Sequence, residues 1–457
     1  AGVITSAVSD LSAELPQRGY PFANVPEPRI VIDHETRTAT LSLDVEPGPI
    51  GTYDGIRIVN EDAPFGARHV ERLARFAPGD TYDGEDIQDL RRALIATGIV
   101  GNVSVDVVEA QPETDGQVPV DLALSIAPAP PRTLAAQIAF DTEDGLQLEG
   151  SWQHRNLFPP EGALTVTGIA GTEEQLLAVD LRRSNYKARD RAIGARLALF
   201  SEDRDAFFNR GISALAFLER ETNLIWQKRW TYRLGPELLL TEERDRSRIV
   251  GGRASLETYY VAAFPMRLAY DGTDDLLDPT ESFRLAGEVS PEVSFEGGTF
   301  GYARTQAEAS TYMPLTEERD FVLAGRGLVA SIAGSGRRNI APSRRLYAGG
   351  GGSVRGFGFQ DVGPEDADGD PLGGRSKVEG SLEARYRFGD FGAVGFVDVG
   401  QVYTDVTPTF QDLRVGVGIG GRYFTSFGPI RVDVATPLDR RPGEPRVAVY
   451  VSIGQSF

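Results

Sequence analysis

Cysteine is missing from all 457 residues, which removes a disulfide scaffold and a thiolate metal site and suits the bacterial envelope as well as the cytosol. Histidine is scarce: His34, His69 and His154 lie far apart in unlike segments, so neither a catalytic triad nor a zinc centre is expected. No run of about 18 apolar residues occurs, which excludes a transmembrane helix. No charged region followed by an apolar stretch opens the sequence either, so any secretory leader is expected either to have been removed or to lie outside the given sequence. Positive charge is in deficit, with 47 Lys+Arg against 66 Asp+Glu and a net charge of −19. Without a basic stripe, nucleic acid is not an expected partner. The glycine run at 349–352 lacks the Lys-Ser/Thr of a phosphate loop, and the chain reads as no enzyme, with no cofactor.

Glycine and proline are plentiful, 52 and 28 residues, and their placement divides the chain. Ile4, Val8, Leu11 and Leu15 at helical spacing predict an amphipathic helix ended by Pro16 and Gly19, and strands are expected at 29–33 and 38–45. A helix and hairpin without an opening strand form an incomplete α/β unit, so residues 1–47 are read as a truncated domain. Residues 48–128 supply the complete version, with a strand at 55–59, helices at 67–77 and 85–97, and strands at 100–109 and 118–127. This β-α-α-β-β order, with Gly79-Asp80-Thr81-Tyr82 between the helices and residues 94–98 leading into the next strand, resembles a POTRA (polypeptide-transport-associated) domain. Any small α/β module would share that order. Pro128-Ala129-Pro130-Pro131 then forms a stiff spacer.

From 129 to 457 the helical periodicity stops, and strand-like segments follow one another between Gly, Pro, Asp and Asn turns. In 378–388, Val378, Gly380, Leu382, Ala384, Tyr386 and Phe388 share one face, and Glu379, Ser381, Glu383, Arg385 and Arg387 the other. Segment 413–424 sets Leu413, Val415, Val417, Ile419 and Tyr423 against Arg414, Gly416, Gly418, Gly420 and Arg422. Such segments are about ten residues long, enough for a tilted strand to cross a hydrocarbon core, whereas strands of a soluble sandwich average about five or six. Tyr386, Phe388, Tyr403, Tyr423 and Phe424 near segment ends suit an interfacial girdle. The expected fold is α+β POTRA domains followed by an all-β transmembrane barrel of about 16 antiparallel strands, an even number as bacterial barrels require. Two long stretches, 227–242 and 254–271, could each be split.

Residues 334–375 form one very long connection of 42 residues, and connections of that length are usually functional. At its centre four glycines precede Val354, Arg355, Gly356 and Phe357. Glycine permits close backbone approach, and the arginine is delivered between apolar neighbours. A guanidinium away from water requires carboxylate partners. If the apolar strand faces meet lipid, then Glu383 faces the lumen, and so do Phe396, Asp398 and Gly400 of the segment Phe396-Val397-Asp398-Val399-Gly400. A loop folded into the lumen would therefore bring Arg355 to Glu383 and Asp398; a surface glycine loop with a solvated arginine is the alternative. Asp361, Glu365, Asp366, Asp368 and Asp370 read as a solvated acidic loop, since Gly369 is misplaced for a calcium-binding EF-hand.

Val354-Arg355-Gly356-Phe357 and Phe396-Val397-Asp398-Val399-Gly400 resemble the paired loop and strand motifs of the outer-membrane assembly superfamily of the BamA and TamA type, which includes the two-partner secretion transporters. Within it, Phe140-Asp141-Thr142-Glu143-Asp144-Gly145, Gly363-Pro364, Asp368-Gly369-Asp370-Pro371, Gly428-Pro429-Ile430-Arg431-Val432-Asp433 and Ile453-Gly454-Gln455-Ser456-Phe457 resemble the TamA branch. Ser282 departs from that pattern, in which glycine is expected, and the opening supplies fewer POTRA units than the branch carries. The resemblance implies a factor in the bacterial outer membrane, its POTRA domains in the periplasm, that inserts client β-barrel proteins such as autotransporters. It also implies an inner-membrane, TamB-like partner at the POTRA domains. A closed barrel has no free edge, so handing strands to the bilayer calls for a seam between the first strand, 134–141, and the last, 446–457. Gly454 there allows a kink, an incoming strand would pair by β-augmentation, and Phe457 reads as the end of a targeting signal or a girdle aromatic. A protein-export pore and a passive porin with a periplasmic domain are the other readings.

Overall fold

The computed structural model describes the chain except residues 1, 34, 35, 37, 113, 115, 142–144, 221, 223–226, 251, 252, 296, 427, 442, 443 and 445. His34 and the Thr142, Glu143 and Asp144 of the motif at 140–145 therefore lie outside the described residues. Two compact units form: residues 1–133, 154–163 and 183–190 make one, and residues 134–153, 164–182 and 191–457 the other.

The first unit opens with helix α1 (Gly2–Gln17) and a two-stranded antiparallel sheet, β1 (Arg29–Asp33) with β2 (Thr38–Ser42). Then come β3 (Ile50–Ile58), α2 (Ala67–Leu73), α3 (Gly84–Ala96), β4 (Val100–Glu109) and β5 (Gln117–Pro128). Their sheet runs β3-β5-β4, with β3 parallel to β5 and β4 antiparallel to it. Asp83 caps α3, its Oδ1 accepting the Glu85 N–H at 2.8 Å, and Glu85 and Asp86 complement the helix dipole in the first turn. Ile87, Leu90 and Leu94 on the inner stripe of α3 join Val120, Leu122, Leu124 and Ile126 of β5 in one buried core.

Strand β2 stops at Ser42 rather than at residue 45, and two boundaries in the complete unit also differ from the periodicity. Helix α2 stops at Leu73, not at residue 77, because the following chain is drawn against β3: Gly79 N–H donates to Tyr53 O at 2.8 Å, Tyr53 N–H to Asp80 O at 2.9 Å, and Phe76 stacks on Tyr53 at 3.8 Å. Strand β3 begins five residues before the expected position, since parallel pairing with β5 already starts at Ile50 opposite Gln117. In the same unit His69 Nε2 lies 2.7 Å from Glu161 Oε1, and Arg189 pairs with Asp89.

The barrel strands are β6 (Arg132–Asp141), β7 (Gly145–Phe158), β8 (Gly162–Gly171), β9 (Glu174–Arg183), β10 (Arg191–Asp203), β11 (Phe208–Arg220), β12 (Trp230–Leu234), β13 (Glu237–Val250), β14 (Arg253–Ala263) and β15 (Met266–Asp271). They continue with β16 (Ser282–Phe295), β17 (Thr299–Pro314), β18 (Phe321–Ala333), β19 (Ser376–Phe388), β20 (Phe391–Tyr403), β21 (Arg414–Thr425), β22 (Gly428–Pro437) and β23 (Ala448–Ile453). These close into a barrel in which β23 lies beside β6.

The eighteen labelled pieces make sixteen crossings. β12 and β13 are halves of one strand and β14 and β15 of another, because register passes unshifted from Leu234 opposite Met266 to Glu237 opposite Ala263. Each break falls on a proline, Pro236 or Pro265, which cannot donate to the ladder. Along the strands Leu268, Leu285, Val397, Ile419, Val432 and Val449 are exposed outward, while Glu379, Glu383, Arg414, Arg422 and Asp433 are buried inward, the alternation of a lipid-facing barrel.

The aromatic girdle is continuous over Phe321, Tyr386, Phe388, Phe391 and Tyr423, with successive ring centroids 5.2–6.4 Å apart. Phe424 does not belong to it. It follows Tyr423, so the pleat turns it to the Arg422 face, where Arg387 lies over its ring at 4.0 Å. Tyr403 bonds instead to the Gln411 carbonyl of its own loop at 2.9 Å. The last strand is also shorter than expected: β23 has six residues and ends at Gly454, where φ is +96° and the N–H bonds Pro429 O at 2.7 Å. Beyond that turn Phe457 leaves the strand face and packs with Tyr312, Val322 and Ala324, so it is no girdle aromatic.

Candidate functional site

Residues 334–375 connect β18 to β19 and carry two short 3-10 turns, Arg337–Asn339 and Pro342–Arg344, with bridges pairing Leu346 with Gly374 and Ala348 with Val362. Val354 and Phe357 are fully buried and pack with Ala348, Val362 and Val402. They fix the backbone on both sides of Arg355, which itself has no solvent exposure.

Arg355 Nε and Nη2 grip Asp398 Oδ2 and Oδ1 at 2.6 and 2.9 Å, and its own backbone N–H donates to Oδ2 at 3.1 Å. This two-pronged contact suits a planar guanidinium and would be lost with a lysine. Nη1 reaches Glu383 Oε1 at 2.7 Å and Asp433 Oδ2 at 2.9 Å, and Nη2 donates to Ser381 Oγ at 3.3 Å. The guanidinium carbon lies 3.4 Å from the centroid of the Phe396 ring, adding a cation–π contact in a dry setting. The sequence motifs thus meet in space: Arg355 with Glu383 and Asp398, and Phe396 beneath it.

The glycines follow from close approach. Gly356 has φ +103° and sits against the Thr436–Pro437 backbone, where a Cβ would lie 3.1 Å from Thr436 C. Gly400 faces Val354, whose Cγ2 would be 2.5 Å from an added Cβ.

Three participants escaped the sequence reading. Asp433 takes Arg355, and also Arg422 at 2.5 Å. Its alternation with the outward Val432 and Val434 carried the signal, within a stretch noted only for its resemblance. Gly416 is the second: an added Cβ would stand 1.7 Å from Arg355 O, so the loop backbone lies directly on β21. Tyr450 on β23 is the third. Its hydroxyl accepts the Gly356 N–H at 3.0 Å and donates to Phe357 O at 2.6 Å. Nothing in the local sequence distinguishes it from any other inward tyrosine.

The loop has a second fastening on β13 and β16. Ser343 N–H and Oγ donate to Glu243 at 2.8 and 2.6 Å, Arg344 bridges Glu237 and Glu292, and Arg345 pairs with Asp245 at 2.8 Å. Acidic residues of the loop are partly engaged as well, since Asp370 pairs with Arg246 and Asp366 Oδ1 accepts the Asp368 N–H at 2.9 Å. Among the described residues no group of three His, Cys, Asp or Glu could hold a metal ion.

This arrangement joins a loop to a strand wall through ion pairs and packing. It crosses the lumen with a polypeptide and ties it to β19, β20, β21, β22 and β23 at one place. The Omp85 superfamily domain model matches residues 163–457. The chain belongs to the Omp85 superfamily. Among curated relatives, the outer membrane protein assembly factor BamA of Nitratidesulfovibrio vulgaris is 25% identical over 403 residues, covering 85% of this chain and 49% of that protein. BamA of Neisseria meningitidis is 22% identical, covering 99% and 62%. The chain therefore spans about half to two-thirds of the length of these relatives. In fold, this Omp85 chain is similar to the crystal structure of BamA from Haemophilus ducreyi lacking POTRA domains 1–3, with TM-score 0.76, 19% identity and coverage of 99% and 92%. CdiB from Acinetobacter baumannii is similar with TM-score 0.52 and 14% identity, covering 98% and 81%.

Proposed function

We propose that this Omp85 chain is an assembly factor of the bacterial outer membrane that inserts client β-barrel proteins through the seam between β6 and β23. One observation carries the reading: the loop motif that buries Arg355 is hydrogen-bonded through Tyr450 to β23, the strand that forms one side of that seam. The state of the loop is thereby mechanically linked to the edge a client would pair with. The six-residue length of β23 leaves the ten-residue β22 longer than its neighbour, and a short strand offers fewer ladder bonds to break when an edge is opened.

BamA relatives support the general role, and with it the outer membrane as location. Placement of the β-α-α-β-β unit in the periplasm as a POTRA domain follows from the same kinship. The narrower TamA assignment, with autotransporters as clients and a TamB-like inner-membrane partner, rests on the sequence motifs at 363–371, 428–433 and 453–457.

Cysteines placed in residues 134–138 of β6 and in β23 test the seam. Disulfide closure is expected to stop insertion of a client barrel into liposomes, and reduction to restore it. Insertion at the same rate with the seam locked would overturn the proposal.

A further inference from the structure

The connection between β15 and β16, residues 272–281, is built to hold its shape. Asp274 Oδ1 accepts the Thr280 and Glu281 N–H groups at 2.9 and 3.1 Å, and Asp275 Oδ1 accepts those of Leu277 and Asp278 at 2.7 and 2.9 Å. Arg284 of β16 donates to the Asp275 and Leu276 carbonyls at 3.1 and 3.0 Å. With these backbone groups answered locally, the turn keeps Asp278 in one position. It reaches over the lumen, where Asp278, Pro279 and Thr280 share a cavity wall with the inward Arg385 and Arg422. β15 and β16 lie half-way round the barrel from the seam, yet Asp278 bonds across to the segment that follows β23. Gln455 Nε2 donates to Asp278 Oδ1 at 2.9 Å, and Arg387 of β19 lies 3.3 Å from Oδ2.

Residues 455–457 need such a hold, because the ladder between β22 and β23 stops at Ile453 and Gly454 turns the backbone away from the strand. Side chains inside the barrel take over from the ladder. Gln455 Oε1 accepts from Arg422 Nε at 3.1 Å, Phe457 O accepts from Arg385 Nη2 at 3.4 Å, and the Phe457 ring lies 5.1 Å from the Arg385 guanidinium carbon. Arg385 and Arg422 stand on β19 and β21, and Asp278 adds a contact from the opposite wall. In a barrel whose neighbouring crossings are antiparallel, a straight continuation of β23 would run beside the start of β6. Turned inward, residues 455–457 are withheld from that part of the edge.

We propose that Asp278 is a positioning residue for the seam. Turn 272–281 is a strap that holds residues 455–457 inside the barrel, and release of Gln455 from Asp278 lets this segment swing out and lengthen the pairing between β23 and β6. The inference rests on the assembly-factor reading and deepens it, naming what keeps the seam short. The chain lacks cysteine, so Leu134→Cys in β6 and Ser456→Cys beyond β23 report the encounter of these two places alone. The measurement is the rate of disulfide formation in the full chain reconstituted in liposomes. In the chain with only these two changes the disulfide should form slowly. Asp278→Ala should speed it about tenfold, since a hydrogen bond to a carboxylate is lost. Gln455→Glu should do the same, because it sets two carboxylates against each other. Adding Asp278→Asn to Gln455→Glu exchanges donor for acceptor, restores the bond and should return the rate to within about twofold of the starting chain. Misfolding cannot mimic that recovery.

An unchanged rate in Asp278→Ala, or a fast rate in Gln455→Glu that Asp278→Asn does not reverse, overturns the proposal. No client enters this measurement, so it is independent of the insertion assay. If the rates stay flat while a locked seam still stops insertion, only the strap falls. If they respond as expected and the locked seam has no effect, the assembly reading falls instead.

Discussion

Arg355 shows how one side chain can hold a long loop in place. Buried and answered by Asp398, Glu383 and Asp433, it is costly to remove because three carboxylates lose a shared cation. Arg355→Ala should destabilise the loop and its contacts by about 3–5 kcal/mol, read as rapid protease cleavage within 334–375; unchanged cleavage would contradict the assignment. Asp361 in the same loop is pushed up to about 6, chiefly by burial and further by Asp205, Glu365, Glu444 and Asp370. A carboxyl raised in the folded state binds its proton more tightly there than in the unfolded chain. Its contribution to stability is therefore complete below the ordinary carboxylate range near 4 and is lost as pH rises through about 6. Protease resistance of the loop should be greater at acidic than at neutral pH, and Asp361→Asn should flatten that difference.

At the scale of elements, the strand starts and ends carry the strain and the coupling. Ser282 begins β16 with φ +77°, a left-handed conformation in which glycine was expected from kinship. Ser282→Gly should therefore stabilise the barrel by about 1 kcal/mol, seen as a higher temperature for loss of the heat-resistant folded band on gels; no shift would mean that its surroundings have already absorbed the strain. β23 is joined to the loop by the Tyr450 hydroxyl. Tyr450→Phe leaves the Gly356 N–H and Phe357 O unsatisfied, a cost of about 1–3 kcal/mol. Faster disulfide formation between cysteines across β6 and β23 is the expected result, since a freed β23 samples more positions.

For the whole molecule, the loop is a cross-lumen tie fastened twice, at Ser343-Arg344-Arg345 to β13 and β16 and at Arg355 to β19, β20 and β22. A barrel so occupied should pass small, unsteady currents in planar bilayers, and Arg355→Ala should raise them. Large steady conductance in the parent chain would favour the porin reading. The two fastenings also divide the barrel: β13 to β22 are held through the loop, whereas β6 to β9 make none of the loop contacts described above.

Alternation alone determined most of this fold. With a period of two, each strand announces which residues face outward, so Glu383, Asp398 and the glycine-flanked Arg355 could be matched before any coordinates, and the sixteen crossings counted with only two left open. What alternation could not supply was anything that depends on distance between strands remote in sequence. Asp433 and Tyr450 look like any other inward residues until ring closure sets β22 and β23 beside the loop. The same limit governed Phe457: a left-handed turn at Gly454 redirects the chain away from the strand face, and periodicity carries no information past the residue where the strand ends.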